Sequence, residues 1–96
     1  MNTKALLIQK RDDILRIARE HGARGIRLFG SVARGEELPD SDVDFLVELE
    51  EGRSLLDLGG MQMDLQDLLG RKIDIVTEKG VRPRIKDRIY REAVPI

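Results

Sequence analysis

The chain has 96 residues, with 17 Lys and Arg against 18 Asp and Glu for a net charge of −1, and is 41% hydrophobic and 36% charged. That balance predicts one globular domain, residues 1–96, with a small core and a densely charged surface, and leaves no room for a second substrate-binding domain. Phe29, Phe45 and Tyr90 are the only aromatics and there is no Trp or Cys, which argues against an aromatic platform for nucleic-acid bases and excludes disulfide and thiolate-metal sites.

No apolar run approaches a membrane span, and the polar residues Lys4, Gln9, Lys10 and Arg11 make a poor signal peptide, so a cytoplasmic protein is expected. The charge is unevenly spread. Lys and Arg against Asp and Glu number 8 and 3 in residues 1–35, 1 and 11 in residues 36–67, and 8 and 4 in residues 68–96. An acidic middle between basic ends suits a cation site beside a phosphate-holding surface, and it equally suits solvated faces of different sign.

Leu7, Ile14, Leu15 and Ala18 recur at helical spacing from Thr3, with Asn2 or Thr3 as N-cap, and His21-Gly22 ends this first helix. His21, the only histidine, reads as a helix-end residue rather than a catalytic one. Gly25–Phe29 predicts a strand that runs into the tight turn Gly30-Ser31, where Ser31 caps a short helix through Gly35. The first-turn N–H groups would then be free to meet an anion. Glu36–Ser41 is a polar loop.

Val43, Phe45, Val47 and Leu49 alternate with Asp42, Asp44, Leu46 and Glu48, the clearest two-residue period in the chain. One face of this strand is apolar and the other begins with two acids, whose Cα atoms stand about 6.6 Å apart. Ser54 and Asp57 have the form of a capping box, and Leu55, Leu58, Met61, Leu65, Leu68 and Leu69 describe one apolar face of a helix down to Gly70. Its interior pair Gly59-Gly60 is a weak point, and Met61 and Met63 read as core fillers. Lys72–Thr77 predicts a third strand with one acid, Asp74, among apolar neighbours. Pro83 opens a final helix with Ile85 and Ile89 on one face, followed by an apolar tail, Ala93–Ile96. The sum is an α/β chain with at least three strands, in which strands separated by helices favour crossover links and a mixed sheet is possible.

Transfer of a nucleotidyl group needs a cradle for phosphates, divalent cations at the reacting phosphorus and a positioned hydroxyl. Asp42 and Asp44 are candidates to hold Mg²⁺, an oxygen-seeking ion. Asp74 would complete a set of three carboxylates if the third strand lies beside the second, and would help deprotonate the acceptor. Ser31 and the N–H groups after it would hold the phosphates, with Arg34 adding a charge-assisted contact. Singly, each residue has a plainer reading: Asp42 as a turn residue, Ser31 as a cap, Arg34 as surface charge, Asp74 as an edge-strand acid.

Together they carry a resemblance. Gly30-Ser31, ten residues and then Asp42-x-Asp44 resembles the signature of the DNA polymerase β-like nucleotidyltransferase superfamily. The runs Leu28-Phe29-Gly30-Ser31-Val32-Ala33-Arg34-Gly35 and Ser41-Asp42-Val43-Asp44-Phe45-Leu46-Val47 are similar to the minimal nucleotidyltransferase (MNT) domain proteins, the MntA-type antitoxins of HEPN/MNT toxin–antitoxin systems. So are Leu68–Val76 and Arg91–Ile96. The resemblance implies a nucleotidyltransferase-like α/β core with a small mixed sheet packed by helices. It implies transfer of AMP from ATP to a tyrosine of a HEPN-domain RNase toxin, with Gly30 and Ser31 on the triphosphate and Asp42, Asp44 and Asp74 on Mg²⁺. A non-catalytic antitoxin that works by occlusion, and a small-molecule nucleotidyltransferase, are the competing readings. No membrane and no direct nucleic-acid contact are expected.

Overall fold

The computed structural model describes residues 2–96. The first helical stretch divides in two. Asn2 caps α1 (Thr3–Gln9) by accepting from the Ala5 N–H at 2.8 Å. Lys10 then leaves helical geometry, and α2 (Arg11–Glu20) restarts with Asp12 and Asp13 in its first turn, where carboxylates favour the positive end of the helix dipole. Gly22, at φ 86°, ends it as expected.

The remaining elements are β1 (Ala23–Phe29), α3 (Gly30–Arg34), β2 (Val43–Leu49), α4 (Leu55–Leu69), β3 (Ile73–Thr77), α5 (Pro83–Glu92) and β4 (Val94–Pro95). Ser54 and Asp57 form the full capping box of α4, and Gly70 ends that helix in left-handed conformation. The sheet order is β3-β2-β1-β4. β1 pairs antiparallel with β2 and with β4, while β2 and β3 are parallel. The expected crossover therefore exists only between β2 and β3, through α4. Five-residue α3 is too short to carry the chain across the sheet, so β1 and β2 meet antiparallel. The apolar tail becomes the edge strand β4, opposite Arg27 and Leu28.

Alternation on β2 divides the molecule into two layers. Val43, Phe45 and Val47 join the main core with Ile14, Ile17, Met61 and Leu65, under α1, α2 and α4. Leu46, from the acid-bearing face, is also buried, in a smaller cluster with Val81 and Ile89 under α5. The acids thus begin a face that α5 roofs farther along. Met61 is fully buried as expected, but Met63 is 66% exposed, because it points out from α4 on the side away from the sheet.

Candidate active site

Sheet register assembles the site. Phe29, the last residue of β1, lies opposite Asp44, and on the other side of β2 Asp44 lies beside Asp74 in the parallel pairing. Asp42 immediately precedes β2, where the Val43 N–H donates to the Lys72 carbonyl at 2.9 Å. All three predicted acids stand on one edge of the sheet. Asp44 is half-buried, whereas Asp74, among apolar neighbours in sequence, is exposed on the edge strand β3.

Gly30 turns the chain at φ 79°, and a Cβ placed there would overlap the carboxylate of Asp44. The glycine is required both by the backbone and by that close approach. Ser31 does not cap α3, contrary to expectation. Phe29 occupies the cap position with no side-chain bond, and Ser31 lies inside the first turn. The opening N–H groups thus have no capping side chain, and the Ser31 side chain lines the adjoining cleft.

That cleft, about 340 Å³, is bounded by Phe29, Gly30, Ser31, Arg34 and Asp44 on one side and by Ile85, Arg88, Ile89 and Glu92 of α5 on the other. Its size is within the range of small-ligand pockets. Arg34 donates through Nε to Glu36 and through Nη1 to Glu92, both at 3.0 Å, and Arg88 donates to the other oxygen of Glu92 at 3.2 Å. Burial raises the Glu92 carboxyl, but the hydrogen bond from Arg88 and the charge of Arg34 more than reverse this and leave it below its ordinary value. Arg34 is therefore a cleft residue held between two acids, and not a free surface charge. Sequence reasoning missed Arg88 and Glu92. Their spacing of four on a helix was the one available signal, and it reads equally as a surface pair.

Electrostatics single out Asp44. Burial, then the charges of Asp74 and Asp42, push its carboxyl up from 3.8 to about 6, against the opposing effect of Arg34. Among the described residues no three acidic or histidine side chains are drawn close enough to cage a metal ion. Unneutralised carboxylates repel one another, so the three make an acidic edge rather than a closed cage. The donor set fits a divalent cation nonetheless: it is all oxygen, it suits a hard ion such as Mg²⁺, and its excess negative charge is what such an ion offsets.

The loop that delivers Asp42 is fixed from below. Arg71 donates to the Thr3 hydroxyl at 2.6 Å, to Glu37 at 3.3 Å and to the Ser41 carbonyl at 3.1 Å, and the Thr3 hydroxyl donates to Glu37. Donation from Thr3, against the effect of burial and with help from Arg71, holds the Glu37 carboxyl below its ordinary value. A second cleft of about 240 Å³ at the far end of the sheet contains Arg24 and Glu48, already paired at 2.8 Å, and its turn glycine, Gly52, leads into a helix whose first turn Ser54 already caps.

Comparisons with known proteins show the family and the fold. A family model described as a nucleotidyltransferase domain matches residues 11–96. A Methanocaldococcus jannaschii protein named as a candidate protein adenylyltransferase is 43% identical over 83 residues, 86% of this chain and 89% of that protein. The protein adenylyltransferase MntA of Thermococcus cleftensis is 42% identical over 73 residues, 76% of this chain and 74% of its own length. A solved structure described as a candidate minimal nucleotidyltransferase superposes with TM-score 0.88 at 46% identity, covering 100% of this chain and 97% of that one. A toxin–antitoxin complex with AMP-PNP superposes with TM-score 0.75 at 19% identity, over 88% of this chain and 69% of that one, a likeness of fold.

Proposed function

The chain belongs to the nucleotidyltransferase domain family and is a nucleotidyltransferase of the minimal type, and from that premise we propose that it is an antitoxin that transfers AMP from ATP to a tyrosine of a cognate HEPN-domain RNase toxin in the cytoplasm. The observation that carries this reading is the acidic edge of Asp42, Asp44 and Asp74 set against the Gly30-Ser31 turn. The relatives named protein adenylyltransferase support the reaction class, and the fold shared with a toxin–antitoxin complex supports the kind of partner.

Each residue then has a task. Ser31 and the uncapped N–H groups of α3 bind the triphosphate tail, and Arg34 donates to a phosphate oxygen in exchange for one of its present carboxylate partners. Asp42, Asp44 and Asp74 hold Mg²⁺, which when bound offsets charge on the phosphates and assists an in-line displacement. Ile85 and Ile89 give the cleft an apolar wall. Asp74, exposed at the rim, accepts the proton of the incoming hydroxyl. The tyrosine oxygen bonds to the α-phosphorus, the bond to the bridging oxygen breaks, and pyrophosphate leaves with its electron pair. The cleft is open and its α5 wall short, so the acceptor side chain comes with the partner.

The test mixes the chain with labelled ATP, Mg²⁺ and the HEPN protein. Label on the partner's tyrosine, lost in the double variant Asp42→Ala/Asp44→Ala, is the expected result. An unlabelled partner, or a double variant that labels and rescues cells as well as wild type, overturns the reading.

A further inference from the structure

Resting on the reading of the cleft as a triphosphate site, we propose that Arg88 is its second phosphate-binding arginine, taking the pyrophosphate part of the nucleotide together with Arg34. Glu92 is the positioning residue that pairs the two guanidiniums. Arg88, Ile89 and Glu92 follow Ile85 by three, four and seven residues, which makes them one face of α5, and that face is the wall of the cleft across from Gly30 and Ser31. The other charged residues of the helix, Arg84, Lys86, Asp87 and Arg91, do not line it.

An arginine and a glutamate four residues apart on a helix are an ordinary surface pair, and Arg88 is 66% exposed. What sets this pair apart is a third member. The two oxygens of Glu92 take different arginines: Oε1 accepts from Nε of Arg88 at 3.2 Å and Oε2 from Nη1 of Arg34 at 3.0 Å. The second bond joins α5 to α3 across 58 residues of sequence. Glu92 is only 20% exposed, whereas Glu36, the other partner of Arg34, is 67% exposed. Glu36 is therefore the partner that Arg34 gives up to a phosphate, and Glu92 the one it keeps.

Those bonds leave most of the donors unspent. Arg88 engages Glu92 through Nε alone, so among the described residues neither of its terminal nitrogens has an acceptor, and Nη2 of Arg34 has none either. A guanidinium presents its N–H groups in a rigid fork matched to phosphate oxygens. One already held by a carboxylate loses less freedom on binding than one loose in solvent. Two guanidiniums on one carboxylate also leave the cluster net positive, in the same cleft as the acid Asp44. The acids serve the reacting phosphorus through their cation, and the arginine pair offsets the charge that gathers on the departing pyrophosphate. The pair thus selects a triphosphate over a monophosphate.

The test is calorimetry of the full chain with Mg²⁺, titrated with α,β-methylene-ATP, whose α–β bridge cannot be cleaved, and separately with AMP. Arg88→Ala is expected to keep the wild-type circular dichroism, since an exposed ion pair contributes little to stability. It is expected to weaken the triphosphate analogue about tenfold, the scale of a hydrogen bond to a charged group, and to leave AMP nearly unchanged. Glu92→Gln removes a negative charge from the cleft and is nonetheless expected to weaken the analogue, by roughly threefold. Arg91→Ala, on the same helix and outside the cleft, is expected to change neither ligand. Wild-type affinity in Arg88→Ala overturns the proposal, as does an equal loss for both ligands or a like loss in Arg91→Ala. Tighter binding by Glu92→Gln also overturns it, since Glu92 would then be only a repelling charge. A wild type that binds no analogue overturns the triphosphate reading itself and the role of Arg88 with it.

Discussion

At the scale of single residues, Asp44 sets function against stability. Its folded carboxyl at about 6 exceeds the ordinary 3.8, so between those values the native state holds a proton that the unfolded chain releases. Without metal, stability therefore falls as pH rises from about 4 to about 6 and stays lower above. Asp44→Asn should stabilise the metal-free protein at pH 7 by about 1–2 kcal/mol, a figure reduced for solvent screening of a half-buried group, while abolishing transfer. Urea titrations at pH 4.5 and 7 check both the sign and the loss of the pH dependence. Since a cation must displace that proton, Mg²⁺ affinity should fall about tenfold between pH 7 and pH 5, measured by calorimetry. Gly30→Ala sets a left-handed backbone and a Cβ overlap against the same carboxylate, and should lose about 1–3 kcal/mol in thermal unfolding along with nearly all transfer.

These residues were legible because their chemistry depends on local sequence. Alternation alone put Asp42 and Asp44 on one face, and a glycine before a serine marked the turn. The α5 side of the cleft was not legible: Arg88 and Glu92 reach Arg34 only through the fold, and no local pattern distinguishes a helix pair that lines a cleft from one in water.

At the scale of elements, the same contrast holds. Capping residues announced α4 at Ser54 and Asp57 and its end at Gly70, whereas the break at Lys10 had no glycine or proline to mark it. Strand direction was likewise beyond local pattern, since whether β1 and β2 run antiparallel depends on the length of α3. A Cβ at Gly60 would stand 2.7 Å from Cε1 of the His21 ring, and this close approach, supported by a 2.7 Å bond from the His21 ring to Asp64, accounts for one of the two helix glycines. Gly60→Ala should therefore destabilise despite better helix propensity. In a His21→Ala background the same change should stabilise by about 0.5–1 kcal/mol, and a double-mutant cycle in urea reads the reversal. Arg71→Ala, which removes the bonds from Arg71 to Thr3 and to Glu37 and Ser41 of the Glu36–Ser41 loop, should lose about 1–3 kcal/mol and raise the KM for ATP.

At the scale of the whole molecule, a small chain divides its sheet between a main core on one face and a cleft on the other, with α5 roofing only part of the second face. Little protein surrounds the reacting edge, and ligands should supply much of its order. ATP analogue with Mg²⁺ should raise the Tm of wild type by several degrees, and by much less for Asp42→Ala/Asp44→Ala, because ligand that binds only the native state stabilises by mass action.

The pairing of Asp44 with Asp74 in adjacent parallel strands also bears on how the chain finds its fold. A one-residue slip of β2 would turn Asp42, Asp44 and Glu48 into the main core and Phe45 out of it, at a cost of several kcal/mol for each unpaired buried charge. The acids proposed to handle the nucleotide therefore also act as a register key, rejecting misaligned sheets before any ligand is met. Substituting them with apolar residues would remove that safeguard along with the chemistry, and slipped, aggregation-prone chains are the expected by-product.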